Sequence, residues 1–301
     1  MKYSKPPFSF PDQADLLLKR GIVANREELI NRLKVVSYYR LSAYWYTFRQ
    51  KGSDNFIPGT TLDMVWCRYV FDRQLRLLII DAIERVEIAL RTQLVNQHTL
   101  FNGPFGYLDR ANLPGMSVDQ HRNFLDKIRF EAQQSRQQKR EEFVMHYFSK
   151  YTSETDLPLW MAAELMTFGV MLTLFRHVDK TIKRNISTEY GIADEVLESW
   201  VLTLNVIRNI CAHHARLWNR GFANMQLAIP RANKHPEWHE PVSVSPDSVF
   251  GILTVLYYML KIVAPQSQWR KRLTDLFAQY NDVPKRFMGF PDNWENCPIW
   301  K

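Results

Sequence analysis

Cysteine is scarce in this chain and poorly spaced for metal or disulfide chemistry. Cys67, Cys211 and Cys297 are the three in 301 residues. An odd number with no Cys-x-x-Cys pair argues against a disulfide framework and against a structural zinc knot. A reducing cytoplasm is the expected setting. Long apolar runs are missing too: the most apolar stretch, Phe250 to Leu260, stops at Lys261 and falls short of the ~20 residues that cross a bilayer. It should form a buried helix, and no membrane partner is expected. The opening "MKYSKPPFSFPDQ" lacks the apolar segment of a signal peptide and is interrupted by prolines, so export is not expected. No alternating apolar-polar run is long enough to define a strand, and no internal repeat is visible.

What is present is a basic, helix-patterned chain with enough apolar residues for a large core. The formal net charge is +8, with 46% hydrophobic residues. That charge balance favours polyanionic partners through long-range attraction and counterion release. Apolar residues at helical spacing predict helices beginning at Pro11, at Asn25 and over Ser37 to Arg49. Thr61 to Asn102 contains neither Pro nor Gly, and one helix of about 37 residues there would run about 55 Å, with a break allowed for. Further helices are expected over Val118 to Tyr151, Leu159 to Val178, Lys180 to Tyr190, Asp194 to Arg220, Pro246 to Val263 and Ser267 to Tyr280. Gly221 to Val244 and the tail "MGFPDNWENCPIWK" read as irregular. The expected fold is all-α: a smaller N-terminal helical section over 1–58, a main helical domain over 59–285 and a tail over 286–301.

The stretch "RNICAHHARLWNR", Arg208 to Arg220, places unusual chemistry at the end of an otherwise apolar helix. At about 100° per residue, Trp200, Leu204, Ile207, Cys211, His214 and Trp218 fall on one core-facing seam. Asn209, His213, Arg216 and Arg220 fall on the opposite side, and Arg208 on the flank. On this reading His214 leans into the core, while His213 belongs to a cationic polar face. An imidazole suits proton transfer near neutral pH, and a guanidinium stays charged and matches phosphate oxygens. Together they suffice to cut RNA without a metal, the imidazole moving protons and Arg208 steadying charge on the phosphorane. The bare Arg-x4-His spacing is a weak signal, because Arg140 to His146 and Arg91 to His98 satisfy looser versions of it.

Other residues bear on the same chemistry. Glu84, Glu87 and Arg91 lie within two helical turns, with Glu87 and Arg91 at ion-pair spacing. A carboxylate there could orient Arg208 or His213 from a neighbouring helix. Glu164 is the sole charge of an apolar run and should find a buried partner. A zinc site would draw on Cys211, His213, His214, His235 and His239. Pro236 disturbs the second histidine pair, adjacent His213 and His214 diverge by about 100° on a helix, and no metal or other cofactor is expected. Tyr38, Tyr39, Arg40, Tyr44, Trp45 and Tyr46 read as aromatic core or as a stacking platform for unpaired bases.

The blocks "SYYRLSAYW", "FDRQLRLLIIDAIERVEIALRTQL", "GPFGYLD", "AAELMTFGVMLTLF", "RNICAHHARLWNR" and "MGFPDNWENCPIWK", in this order, resemble the abortive-infection Abi-like family of the AbiD/AbiF type. "RNICAHH" itself resembles the signature of the HEPN superfamily. The resemblance implies a HEPN-like helical bundle and a phage-defence toxin acting as a metal-independent endoribonuclease. It puts the catalytic residues at Arg208, His213 and Asn209, with His214, Arg216, Glu84 and Arg91 as accessory candidates. It also implies a homodimer, since such clefts are generally built from two facing motifs and one stands here. RNA is the implied substrate, and a toxin of this kind needs restraint by an inhibitory RNA or protein antitoxin. The alternative is a HEPN module of a defence or toxin-antitoxin system that binds RNA without cutting it.

Overall fold

A computed structural model describes residues 2, 6–222, 225 and 227–301, and those residues form an all-α protein. Its twelve α-helices are α1 (Phe10–Lys19), α2 (Arg26–Val35), α3 (Tyr38–Trp45), α4 (Leu62–Asn102), α5 (Val118–Gln138), α6 (Glu142–Lys150), α7 (Leu159–Leu165), α8 (Phe168–His177), α9 (Lys180–Glu189), α10 (Asp194–Ala212), α11 (Val249–Val263) and α12 (Trp269–Gln279).

The axis of the fold is α4, 41 residues long without a break. Nothing in its sequence interrupts the backbone ladder, so it runs about 60 Å at 1.5 Å per residue. Thr61 starts it by accepting the Met64 N–H at 3.2 Å, and Gly103 ends it at φ 77°. Helices α3, α7, α8, α9, α10, α11 and α12 all pack on it. The apolar run at Phe250 to Leu260 is indeed a buried helix, α11, packed along α4. Gly251 lets it approach the preceding loop, since a Cβ there would sit 2.2 Å from the Ser245 carbonyl oxygen.

One continuous set of buried side chains runs from Ala14 in α1 to Trp300 in the tail. The tail is a series of short 3₁₀ turns whose Trp294, Ile299 and Trp300 are buried, and Trp300 donates its indole N–H to Thr254 at 2.9 Å. The irregular stretch expected over Gly221 to Val244 includes Ala223, Asn224 and Gln226, which lie outside the described residues, as do Met1, Tyr3, Ser4 and Lys5 of the opening segment.

Four helix limits differ from the sequence reading. Lys139 turns left-handed at φ 52° and separates α5 from α6. Thr167 takes an extended conformation and caps α8, separating it from α7. After Trp45 the third helix tightens into a 3₁₀ turn. The fourth difference matters most for function: α10 stops at Ala212, eight residues before Arg220.

Candidate functional site

The end of α10 is a tight, well-satisfied reversal. His213 caps the helix, and His214 adopts the left-handed conformation at φ 58°. The His214 N–H then donates to the Cys211 carbonyl at 3.0 Å and the Ala215 N–H to the Ile210 carbonyl at 2.9 Å. This pair of backward bonds satisfies carbonyls that a helix end otherwise leaves open, a role usually given to glycine. Histidine is one of the few side chains that enter this region with any frequency.

Beyond the turn, the backbone is held by a buried acid. Asp72 on α4 is fully buried and accepts the Trp218 N–H at 2.6 Å, the Leu217 N–H at 3.1 Å and the Tyr44 hydroxyl at 2.6 Å, and it pairs with Arg76 one helical turn on. Burial pushes the Asp72 carboxyl up, while Arg76, Tyr44 and the two amides oppose that shift. Helix α3 is bolted to the same turn from outside. Arg40 donates to the His214 carbonyl at 2.5 Å, and Arg216 donates to the Ala43 carbonyl at 3.1 Å.

These contacts sort the expected site residues. Trp200, Leu204, Ile207 and Cys211 are buried, as the seam requires, and Trp218 is buried too although it lies beyond the end of the helix. His214 is not: it is exposed, because the helix has ended and its side chain no longer follows the 100° progression. Arg216 is half-buried and engaged with Ala43, so its polar-face placement does not hold either. Arg208, Asn209 and His213 are exposed together on the last turn and cap of α10. The Arg208 guanidinium donates to Asn209 Oδ1 at 3.2 Å, and the Asn209 carbonyl accepts the His213 N–H at 2.9 Å. Asn209 thus touches both of its neighbours in the triplet.

Glu87 faces this group from α4. Burial pushes its carboxyl up, and Arg91 and then Arg208 are the charges that draw it back down. Arg91 itself is committed elsewhere, donating to Glu87 at 2.7 Å and to the Ala163 and Met166 carbonyls at 2.8 and 3.1 Å, where it closes the end of α7. Glu84 is exposed and acts on Glu87 only by repulsion. Glu164 is exposed as well, contrary to the buried pair expected for it. The looser Arg-His pairs do not form sites: His98 is fully buried, and Arg140 reaches Glu131 at 3.9 Å.

The nitrogen and sulfur ligands do not converge. Cys211 is buried with its thiol pushed up to about 12 by desolvation, whereas His213 and His214 point outward. His235 meets Glu237 at 3.0 Å, and His239 meets the Pro230 carbonyl at 2.7 Å. Among the described residues no three His, Cys, Asp or Glu side chains form a metal cage. Among the described residues no helix is long and apolar enough to cross a membrane.

Asp72 and Arg76 are the contributors that sequence reasoning missed, and Arg40 and Tyr44, read there as part of an aromatic cluster, turn out to support the same turn. The available signal was Asp72 itself, an acid inside the apolar rhythm of α4 with Arg76 at i+4. Five cavities of about 260 to 670 Å³ have linings that include neither Arg208 nor His213. Arg208, Asn209 and His213 are all exposed, so the triplet sits on an open surface.

The molecule is thus an all-α protein carrying an exposed Arg-Asn-His triplet on a clamped helix end. The chain belongs to the Abi-like protein family, whose model matches residues 31–219, from within α2 to just beyond the turn after α10. The tail block "MGFPDNWENCPIWK" lies outside that match. No curated protein and no solved structure matches the chain.

Proposed function

We propose that this protein is a metal-independent endoribonuclease of an abortive-infection defence system, a HEPN-type toxin of the AbiD/AbiF kind acting in the cytoplasm. The observation that carries the reading is the exposure of Arg208, Asn209 and His213 together on a turn fixed by Asp72 and Arg40. A backbone fixed that way presents the three side chains from one defined place, which is what positioning a phosphate requires.

In the reaction, the 2′-oxygen of one nucleotide attacks the adjacent phosphorus and the bond to the 5′-oxygen breaks. The products are a 2′,3′-cyclic phosphate and a 5′-hydroxyl. His213 accepts the proton from the 2′-hydroxyl, and the His213 of a second copy returns one to the departing 5′-oxygen. Arg208 stabilises the negative charge that builds on the equatorial oxygens, and Asn209 fixes the guanidinium. DNA, which has no 2′-hydroxyl, is not a substrate.

The open site argues for a homodimer, in which two copies of the triplet close around one phosphate across a twofold axis. The same openness favours the second reading, a module that binds RNA without cutting it. An inhibitory RNA or protein antitoxin completes the proposed system by restraining the toxin.

One experiment separates the readings. Wild-type protein and His213→Ala are incubated with cellular RNA in EDTA, and the ends are mapped. Cleavage to 2′,3′-cyclic ends by the wild type alone is the expected result. Complete loss of cutting under chelation, or equal cutting by His213→Ala, overturns the nuclease. RNA binding without any cyclic ends selects the binding module.

A further inference from the structure

Helix α3 divides its aromatic residues sharply. Tyr44 and Trp45 are 1% exposed and belong to the core, whereas Tyr39 is 88% and Tyr46 69% exposed. Tyr39 lies in α3, and Tyr46 opens the 3₁₀ turn that continues it. The Arg216 guanidinium donates to the Ala43 carbonyl at 3.1 Å. Arg40, next to Tyr39, reaches the carbonyl of His214. The exposed tyrosines are therefore carried on a helix pinned at two points to the turn that presents His213.

Charge sets the kind of partner. The segment Ser37 to Arg49 contains two arginines and no acid. Arg49 is paired with Asp54, while Arg40, Arg208 and Arg220 are exposed on or beside the turn. A single exposed tyrosine needs no explanation. Two, on a segment that carries arginine and no acid and is hydrogen-bonded to the turn that follows the triplet, match the way proteins hold unpaired nucleotides: rings for the bases, cations for the backbone.

We propose that Tyr39 and Tyr46 form a stacking subsite for unpaired bases of the RNA strand whose phosphate lies at Arg208 and His213. This rests on the RNA reading given above and adds the substrate class, single-stranded segments rather than duplex. Bases inside a duplex are already stacked on each other and offer no free face. Because every base has a π face, the subsite tolerates any sequence.

The test uses a short single-stranded RNA with 2-aminopurine placed at successive positions and 2′-deoxy nucleotides that block cleavage. Binding to the full-length protein is followed by fluorescence, with sedimentation run on each variant. Wild type and Tyr39→Phe should quench the probe at one or two positions. Tyr39→Ala should lose that quench and bind about tenfold more weakly, with an unchanged melting temperature because the ring is exposed.

Equal quench and affinity in Tyr39→Ala and Tyr46→Ala overturn the subsite. So does dissociation of an oligomer by Tyr39→Ala, which would give the face to a second copy of the chain. RNA cleavage without quench removes the subsite and leaves the nuclease standing; quench without cleavage does the reverse.

Discussion

Asp72 Oδ1 accepts the backbone N–H of Trp218 at 2.6 Å across 146 residues of sequence. The two amides it serves, those of Leu217 and Trp218, follow the helix end and have no carbonyl of α10 within reach. The acid and the turn therefore depend on each other: without the turn Asp72 is an expensive buried charge, and without Asp72 the turn leaves buried donors unmet. Removing one member of a buried charged pair typically costs about 3–5 kcal/mol. Asp72→Ala should lower stability by that order, because Arg76 and both amides lose their acceptor. Asp72→Asn should cost less, since one oxygen remains. Urea unfolding midpoints measure both; a loss under about 1 kcal/mol for the alanine variant would contradict the account.

His214 holds a left-handed conformation that costs an ordinary side chain roughly 1–2 kcal/mol. His214→Gly should then stabilise the protein by on the order of 1 kcal/mol, offset in part by the greater freedom of glycine in the unfolded chain. His214→Val should destabilise it, because branching at Cβ makes the region worse. Thermal melts of the three proteins give the order directly. On the proposed function, in which the His214 ring has no chemical part, RNA cleavage measured for the wild type should persist in the glycine variant.

Arg208 and Arg91 make opposite predictions about salt. Arg208 is exposed, donates to Asn209 and feels the Glu87 carboxylate without a hydrogen bond to it, so its guanidinium can meet a phosphate. Arg91 is spent on Glu87, Ala163 and Met166. For single-stranded RNA, each lost phosphate contact lowers the slope of log affinity against log salt by about 0.7. Arg208→Gln should show that change with little effect on stability. Arg91→Gln should lower stability by releasing the end of α7 and leave the slope where it was. Binding titrations across a salt series decide it, and a slope change confined to Arg91→Gln would reverse the assignment.

Periodicity made much of the fold legible before any coordinates. The unbroken α4 and the core seam from Trp200 to Cys211 are written as helical spacing with no proline or glycine inside, and the buried α11 as an apolar run that a single glycine, Gly251, does not interrupt. The ends were harder to read. Lys139 and His214 turn left-handed without a glycine to announce it, so a wheel drawn through Arg220 put His214 in the core and Arg216 on the polar face. The exposed triplet was visible because Arg208 and Asn209 lie within the helix and His213 at its cap. Its support was hidden because Asp72 and Arg40 reach it through long-range contacts that no local pattern records. Glu164 failed for a related reason: the break before α8 leaves it facing outward.

His98 makes a prediction about pH that is independent of function. It lies on α4 with no exposed surface, and neither ring nitrogen has a hydrogen-bond partner among the described residues. A Cβ at Gly106 would come within 3.3 Å of its Cε1, so the packing around it is close. Desolvation lowers its pKa from 6.5 to about 4. Between those values the unfolded chain holds a proton on this ring and the folded chain does not. The unfolded state binds more protons there, so stability must fall as pH drops through the window and recover as pH rises above it. At full extent the difference is about 3 kcal/mol. His98→Leu fills similar space with a side chain that cannot titrate. Urea unfolding of the two proteins at pH 7.5 and pH 5 should show the wild type losing more stability on acidification than the variant, the excess being the share of His98. Equal losses would mean that water reaches the ring and that its charged form is tolerated inside the fold.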